Sequence, residues 1–116
     1  MPVHIRVDGT VVILSHFGSL MNDPRLFDAA REVQHLLDQG YRNFVLELRG
    51  VGELGPGGVG LLVTMTRLVR RSDGEVALAR PSRGMRRILD EMQLDAYWEV
   101  FDTVEEATAH LDHGVA

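Results

Sequence analysis

The sequence has no cysteine and no lysine among its 116 residues, and aromatic side chains make up only 6%. The lack of cysteine excludes disulfides, thiolate nucleophiles and cysteine-based metal sites. The lack of lysine excludes a phosphate-binding loop of the P-loop type, whose lysine contacts the phosphates. No apolar run reaches the roughly 18 residues of a membrane-spanning helix, and the first residues lack the pattern of a signal peptide. We therefore expect a cytoplasmic protein that does not insert into a membrane.

Acidic residues outnumber basic ones, and the formal net charge is −5. This balance argues against nucleic acid as a partner. The charge is unevenly spread, because seven of the 12 arginines lie between Arg67 and Arg87, whereas the chain from Ile88 onwards has eight acids and no arginine. Two interpretations stay open: a helix and a loop with a solvated polar face, or a basic patch that meets an acidic partner.

The length suits a single domain over residues 1–116, with a core over about 3–111. Strands are predicted at 3–7, 11–17, 43–48, 76–79 and 99–101, and helices at 24–39, 56–71, 81–92 and 103–111. Strands that alternate with helices imply a mostly parallel sheet, and a turn at Asp8-Gly9-Thr10 adds one antiparallel strand. The order β-β-α-β-α-β-α-β-α thus predicts an α/β fold: a mixed, mostly parallel five-stranded sheet with about four helices mainly on one face.

Several predicted helices carry signals at their ends. Asp23 is expected to cap the first helix, with Pro24 at its first position, and Gly40 to end it. Thr103 and Glu106 form a T-x-x-E capping box before the last helix. The third helix is expected to bury one apolar face, made of Met85, Ile88, Leu89 and Met92.

Residues 50–60 read GVGELGPGGVG and hold half of the twelve glycines. Read literally, they contain the dinucleotide fingerprint G-x-G-x-x-G between a strand and a helix. Pro56 argues against it, because proline fits only the first helical turn and the fingerprint requires its helix already to be running there. The acid about 20 residues on, Glu75, begins a strand instead of ending one. Three interpretations remain: an anion site at the helix start, a surface that a partner's backbone approaches closely, or a tight turn without a ligand.

Five segments in this order resemble the STAS domain, the fold of bacterial anti-sigma-factor antagonists, over residues 3–111. The segments are VVILSHFGSL at 11–20, VLELRGV at 45–51, GVGLLV at 58–63, RRIL at 86–89 and LDAYWEVFD at 94–102. The resemblance implies a partner-switching function, in which the unphosphorylated protein binds an anti-sigma factor or kinase-like regulator. Phosphorylation of a serine in the family's D-S-S-G motif then ends binding, because phosphate adds about −1.5 to −2 charges at a helix start.

The sequence departs from that motif at the modified position. D-S-S-G aligns with Gly55-Pro56-Gly57-Gly58, so Gly57 replaces the phosphorylated serine, and Met21 replaces the acid that follows G-x-L. Glycine has no oxygen nucleophile, so the resemblance implies a degenerate phosphosite and a protein that is not switched there.

The resemblance also implies a contact face and alternative modification sites. The predicted partner-binding residues are Met21, Asn22, Pro56, Gly57, Gly58, Gly60 and Thr64. The alternative phosphosites are Thr64, Thr66 and Ser19, although such hydroxyls commonly bond locally instead. Other roles stay open: a subunit of a lipid-transport or stressosome-like complex, or a small-ligand or nucleotide binder. A homodimer is compatible with the sequence.

No catalytic set, metal site or cofactor is predicted. Ser15 and His16 are neighbours on a strand and should point to opposite faces. His110 and His113 share a helix face near the C-terminus, where solvated histidines are expected. Trp98 is expected to pack in the core. We therefore predict a protein without catalytic activity.

Overall fold

The computed structural model describes residues 3–17, 27–52 and 56–113. Five strands and four helices follow one another in the predicted order. The strands are β1 (His4–Asp8), β2 (Val11–Ser15), β3 (Asn43–Glu47), β4 (Glu75–Ala79) and β5 (Glu99–Phe101). The helices are α1 (Asp28–Asp38), α2 (Pro56–Arg71), α3 (Arg83–Glu91) and α4 (Val104–His113).

The strands form one sheet in the order β1-β2-β3-β4-β5, with β1 antiparallel to β2 and the other neighbours parallel. Gly9 occupies the turn between β1 and β2 with φ +63°, a conformation that glycine adopts without steric cost. The mixed, mostly parallel sheet is therefore confirmed. Because β2 to β5 run in the same direction, their last residues lie along one edge, which we call the carboxyl edge. It is formed by Ser15, Glu47, Ala79 and Phe101.

Alternate residues of the buried strands face two separate apolar layers. Val12, Leu14, Phe44, Leu46 and Leu78 pack with residues of α1, α2 and α3, and form the larger layer. Val11, Ile13, Val45 and Ala77 pack with Val104, Ala107 and Leu111 of α4 on the other side. Three of the four described helices thus cover one face of the sheet, as predicted, and α4 covers the other.

Helix α1 begins later than predicted. Phe27 lies in a turn directly before Asp28 and caps the helix with no side-chain hydrogen bond. The predicted cap, Asp23 with Pro24, lies outside the described residues. The helix does end at Gly40, whose φ is +103°. The Gly40 N–H donates to the Leu37 carbonyl (3.0 Å) and the Tyr41 N–H to the Leu36 carbonyl (3.1 Å), which is a Schellman motif.

The capping box of α4 forms at the predicted residues, with one difference in its hydrogen bonds. The Glu106 N–H donates to Thr103 Oγ1 (3.1 Å), but Glu106 Oε1 accepts from the Thr103 hydroxyl (3.0 Å) instead of from its backbone. On the predicted apolar face of α3, Met85 and Leu89 are buried and Ile88 is half-buried, but Met92 follows the last helical residue, Glu91, and is 51% exposed. Among the described residues, no helix has the length and apolar character needed to cross a membrane.

Candidate functional site

The chain turns sharply after β3 and places the start of α2 near the carboxyl edge. The Leu48 N–H donates to the Ala79 carbonyl (2.9 Å) and extends the pairing with β4 by one residue. The Val51 N–H then donates back to the Leu48 carbonyl (3.1 Å), while Gly50 has φ +86°. Leu48 and Val51 are both buried, so they anchor this segment to the core. Only glycine readily adopts the conformation of residue 50, which explains one of the clustered glycines.

Helix α2 begins with Pro56, Gly57 and Gly58, as the sequence predicts. The first N–H groups of a helix have no partner within it, and they carry the positive end of the helix dipole. Gly57 is exposed and no acidic residue occupies the first turn. The helix start therefore presents backbone donors that no side chain at residue 57 covers.

Gly57, Gly60 and Thr64 lie on one side of α2, because residues three, four and seven apart share a helix face. Gly57 and Thr64 are exposed and Gly60 is half-buried, whereas Gly58 is buried. Among the described residues, no heavy atom lies within 4 Å of a Cβ placed on Gly60, so packing against them does not require glycine there. The structure thus brings three predicted partner-binding residues together in a narrow stripe of small residues, which we call the α2 stripe (Gly57, Gly60 and Thr64).

The first turn of α3 contacts Gly52, which belongs to the glycine-rich residues 50–60. Ser82 Oγ donates to the Gly52 carbonyl (3.4 Å) and accepts from the Met85 N–H (3.1 Å), so it caps α3 and contacts the segment at once. A Cβ on Gly84 would come within 3.1 Å of the same Gly52 carbonyl. The residues that follow β3 are therefore held against the start of α3.

Thr66 does not share the accessibility of Thr64. Its side chain is fully buried, and its hydroxyl donates to the Leu62 carbonyl (2.8 Å) and accepts from the Trp98 indole N–H (2.8 Å). A kinase cannot reach this oxygen in the folded chain, so the burial contradicts Thr66 as an alternative phosphosite. Met21, Asn22 and Ser19, also predicted as site residues, lie outside the described residues.

Two features of this region were not singled out from the sequence. Phe27, which precedes α1, is 52% exposed. It lies at the start of α1, at the same edge of the sheet where α2 begins. Helices α1 and α2 pack against each other. The second feature is charge: Arg49 and Arg83 are exposed on the segments that meet at Gly52. The arginine excess between residues 67 and 87 signalled Arg83, but no local pattern signalled Arg49 or the exposure of Phe27.

The residues considered for chemistry are separated by the fold. Ser15 is buried, whereas His16 is exposed with φ +67°. Glu47 lies 3.9 Å from Arg80, and the His110 ring lies 5.2 Å from that of Phe101. Within ranges 3–17, 27–52 and 56–113, no group of three His, Asp or Glu side chains is arranged to hold a metal ion.

Comparison with known proteins finds the family and the fold that the sequence resembles. The model of the STAS domain matches residues 6–107. A candidate anti-sigma factor antagonist of Thermotoga maritima is 26% identical over 101 residues, which are 87% of this chain and 88% of that protein.

Two solved structures show the likeness in three dimensions. An anti-sigma-factor antagonist (STAS) domain protein from Planctomyces limnophilus superposes with a TM-score of 0.80 at 18% identity, over 95% of this chain and 97% of the other. The unphosphorylated form of the anti-sigma factor antagonist SpoIIAA superposes with a TM-score of 0.78 at 19% identity, over 96% of each chain.

Proposed function

The chain belongs to the STAS domain family and resembles its anti-sigma factor antagonists, and from this we propose that it is a non-catalytic module that binds an anti-sigma factor or a related kinase-like regulator. The observation that supports this most strongly is the α2 stripe at the carboxyl edge. The stripe leaves the backbone near the start of α2 accessible, and no described residue lies close enough to Gly60 to require glycine there.

The chemistry of this surface suits contact with another polypeptide. Glycine allows a partner's backbone to approach closely, and the free N–H groups at the helix start can donate to a carbonyl or carboxylate of that partner. Phe27, half-exposed at the start of the neighbouring helix, supplies an aromatic side chain of the kind enriched at the centres of interfaces.

We further propose that phosphorylation does not regulate this surface at residue 57. The family's modified serine is replaced by Gly57, which has no hydroxyl, and Thr66 on the same helix is buried. Thr64 is exposed and remains the described hydroxyl on the stripe. Because residue 57 cannot be phosphorylated, we expect binding to persist when a kinase partner is supplied with ATP, and release on addition of ATP would indicate modification of another hydroxyl such as Thr64.

A pull-down from native lysate, with soluble and membrane fractions together, tests the contact face by comparing the natural chain with Gly57→Glu. The variant places a negative charge where the family places phosphate. An acid near a helix N-terminus is favourable, and replacing glycine in a helix is also favourable, so the variant should stay folded. We expect the natural chain to capture a kinase-like protein and the variant to lose it.

Ala109→Glu is the matched control, because it adds the same charge at an exposed position on α4, across the sheet from α2. It should capture the same proteins as the natural chain. Capture of membrane transport proteins instead would favour the lipid-transport alternative, and equal capture by Gly57→Glu would contradict the α2 stripe as the contact face. A thermal shift with nucleotides would indicate the ligand-binding alternative, since a ligand of the native state raises the melting temperature.

A further inference from the structure

Three exposed arginines near the start of α2 have no partner in the described part of the chain. Arg49, Arg83 and Arg87, which we call the arginine rim, make no hydrogen bond or ion pair within ranges 3–17, 27–52 and 56–113. Other arginines of the chain are engaged. Arg70 bonds Glu75 Oε1 (3.0 Å) and the Tyr97 carbonyl (2.7 Å), while Arg80 and Arg86 pair with carboxylates.

The arginine rim lies at the carboxyl edge, where the residues that follow β3 meet the start of α3. Gly52 contacts Ser82 and the backbone of Gly84, so the segment that carries Arg49 lies against the first turn of α3, which carries Arg83. Arg83 and Arg87 are four residues apart and share a face of α3. Helix α2 begins after β3 and α3 begins after β4, so both helix starts lie at the carboxyl edge, together with Arg49, which directly follows β3.

Helix stability does not account for Arg83. It is the first residue of α3, where the helix dipole disfavours a cation, and the first turns of α2 and α3 contain no acid. Two positive helix ends and three guanidinium groups without a partner among the described residues therefore share one edge of a chain whose net charge is −5. These positive groups attract anions within one Debye length, about 8 to 10 Å, which is the scale of a contact face.

We infer that the arginine rim, together with the start of α2, binds an acidic segment of a partner protein. Aspartate and glutamate side chains fit the guanidinium groups, which bond carboxylates with two parallel hydrogen bonds. The acidic remainder of the chain repels a long polyanion, so a peptide segment with a few carboxylates fits better than nucleic acid. This inference rests on the proposed function, since it names the chemistry of the partner for the same surface.

The test is an NMR titration of the full chain, labelled with nitrogen-15, using a hexaglutamate peptide as the probe. We expect amide shifts concentrated at residues 49–52, 57–60 and 83–87, and weaker binding as salt is raised, because exposed ion pairs are screened. The variant Arg83→Glu/Arg87→Glu should weaken binding by at least about tenfold, since it places like charges opposite the probe. An acid at residue 83 suits the helix start, so this variant should fold.

Arg67→Glu/Arg71→Glu is the matched control. These two arginines are also exposed, unpartnered among the described residues and four apart on one helix, but they lie in the second half of α2. The control should change binding less than about twofold. Equal loss in both variants, shifts scattered over the surface, no shifts, or equal binding of a thymidine hexanucleotide would each overturn the inference.

The two proposals fail in different ways. If Gly57→Glu loses its captured partner but hexaglutamate does not bind, the acidic partner is wrong and the contact face stands. If hexaglutamate maps to the rim but Gly57→Glu keeps every partner, the rim is an anion-binding surface and the proposed contact face is wrong.

Discussion

Thr66 shows how one hydroxyl can be structural on a helix whose other face is exposed. It accepts the indole N–H of Trp98 and donates to the Leu62 carbonyl, all within the core. Trp98 is 4% exposed, so its N–H has no alternative partner in solvent. Thr64, two residues earlier, points outward and has no such task. The two threonines therefore separate the core side of α2 from its exposed side.

The variant Thr66→Val should lower the free energy of unfolding by about 1 to 3 kcal/mol, because it leaves a buried indole N–H unpaired. Thr64→Val is its control, and an exposed substitution of this kind should change the value by less than about 0.5 kcal/mol. Urea unfolding followed by tryptophan fluorescence measures both. Equal effects of the two substitutions would contradict the assigned role of Thr66.

Helix α2 contains glycines, which lower its stability relative to a helix of the same length without them. Each glycine inside a helix costs about 0.8 to 1 kcal/mol relative to alanine, and a methyl group added at Gly60 would meet no neighbour within the part of the chain that the structure describes. The presence of glycine on the α2 stripe is consistent with a contact that requires a bare backbone. Glycine at such a site lowers the stability of the helix but permits the close contact that binding requires.

The variant Gly60→Ala should therefore raise the free energy of unfolding by about 0.5 to 1 kcal/mol and weaken binding of the captured partner. Chemical unfolding and a binding titration with the purified partner measure the two quantities separately. A variant that is more stable and binds with unchanged affinity would show that the stripe is not part of the contact.

The elements themselves were largely predictable from local pattern, and the exceptions have local physical reasons. Helix α2 lies at its predicted residues because the glycine-proline start is a strong signal, and strand β5 also lies at the predicted residues 99–101. The start of α1 was misplaced, because Phe27 adopts a turn that no side-chain cap marks. Met92 continued the apolar spacing of α3 but follows its last residue.

The site was less predictable than the elements, because long-range contacts determine it. Thr66 and Trp98 are 32 residues apart, and the approach of Gly84 to Gly52 spans the same distance in sequence. Burial of one threonine and proximity of Arg49 to Arg83 depend on these contacts. Sequence pattern identified the helix that carries the candidate site, but only the packed structure distinguishes its core side from its exposed side.

Over the whole molecule, three helices on one face of the sheet and one on the other leave the α2 start and the arginine rim together at one edge. The chain carries −5 overall, whereas Arg49, Arg83 and Arg87 at this edge have no partner in ranges 3–17, 27–52 and 56–113. The proposed binding surface is therefore small, basic and without a hydroxyl at the family's modified position.

The affinity of the purified, captured partner for the natural chain and for Gly57→Glu, each measured with and without magnesium and ATP, tests the proposed function most sharply. We expect the natural chain to bind equally well in both conditions and Gly57→Glu to bind in neither. Release of the natural chain on addition of ATP would contradict the unswitched contact face, and undiminished binding of Gly57→Glu would contradict the contact face itself.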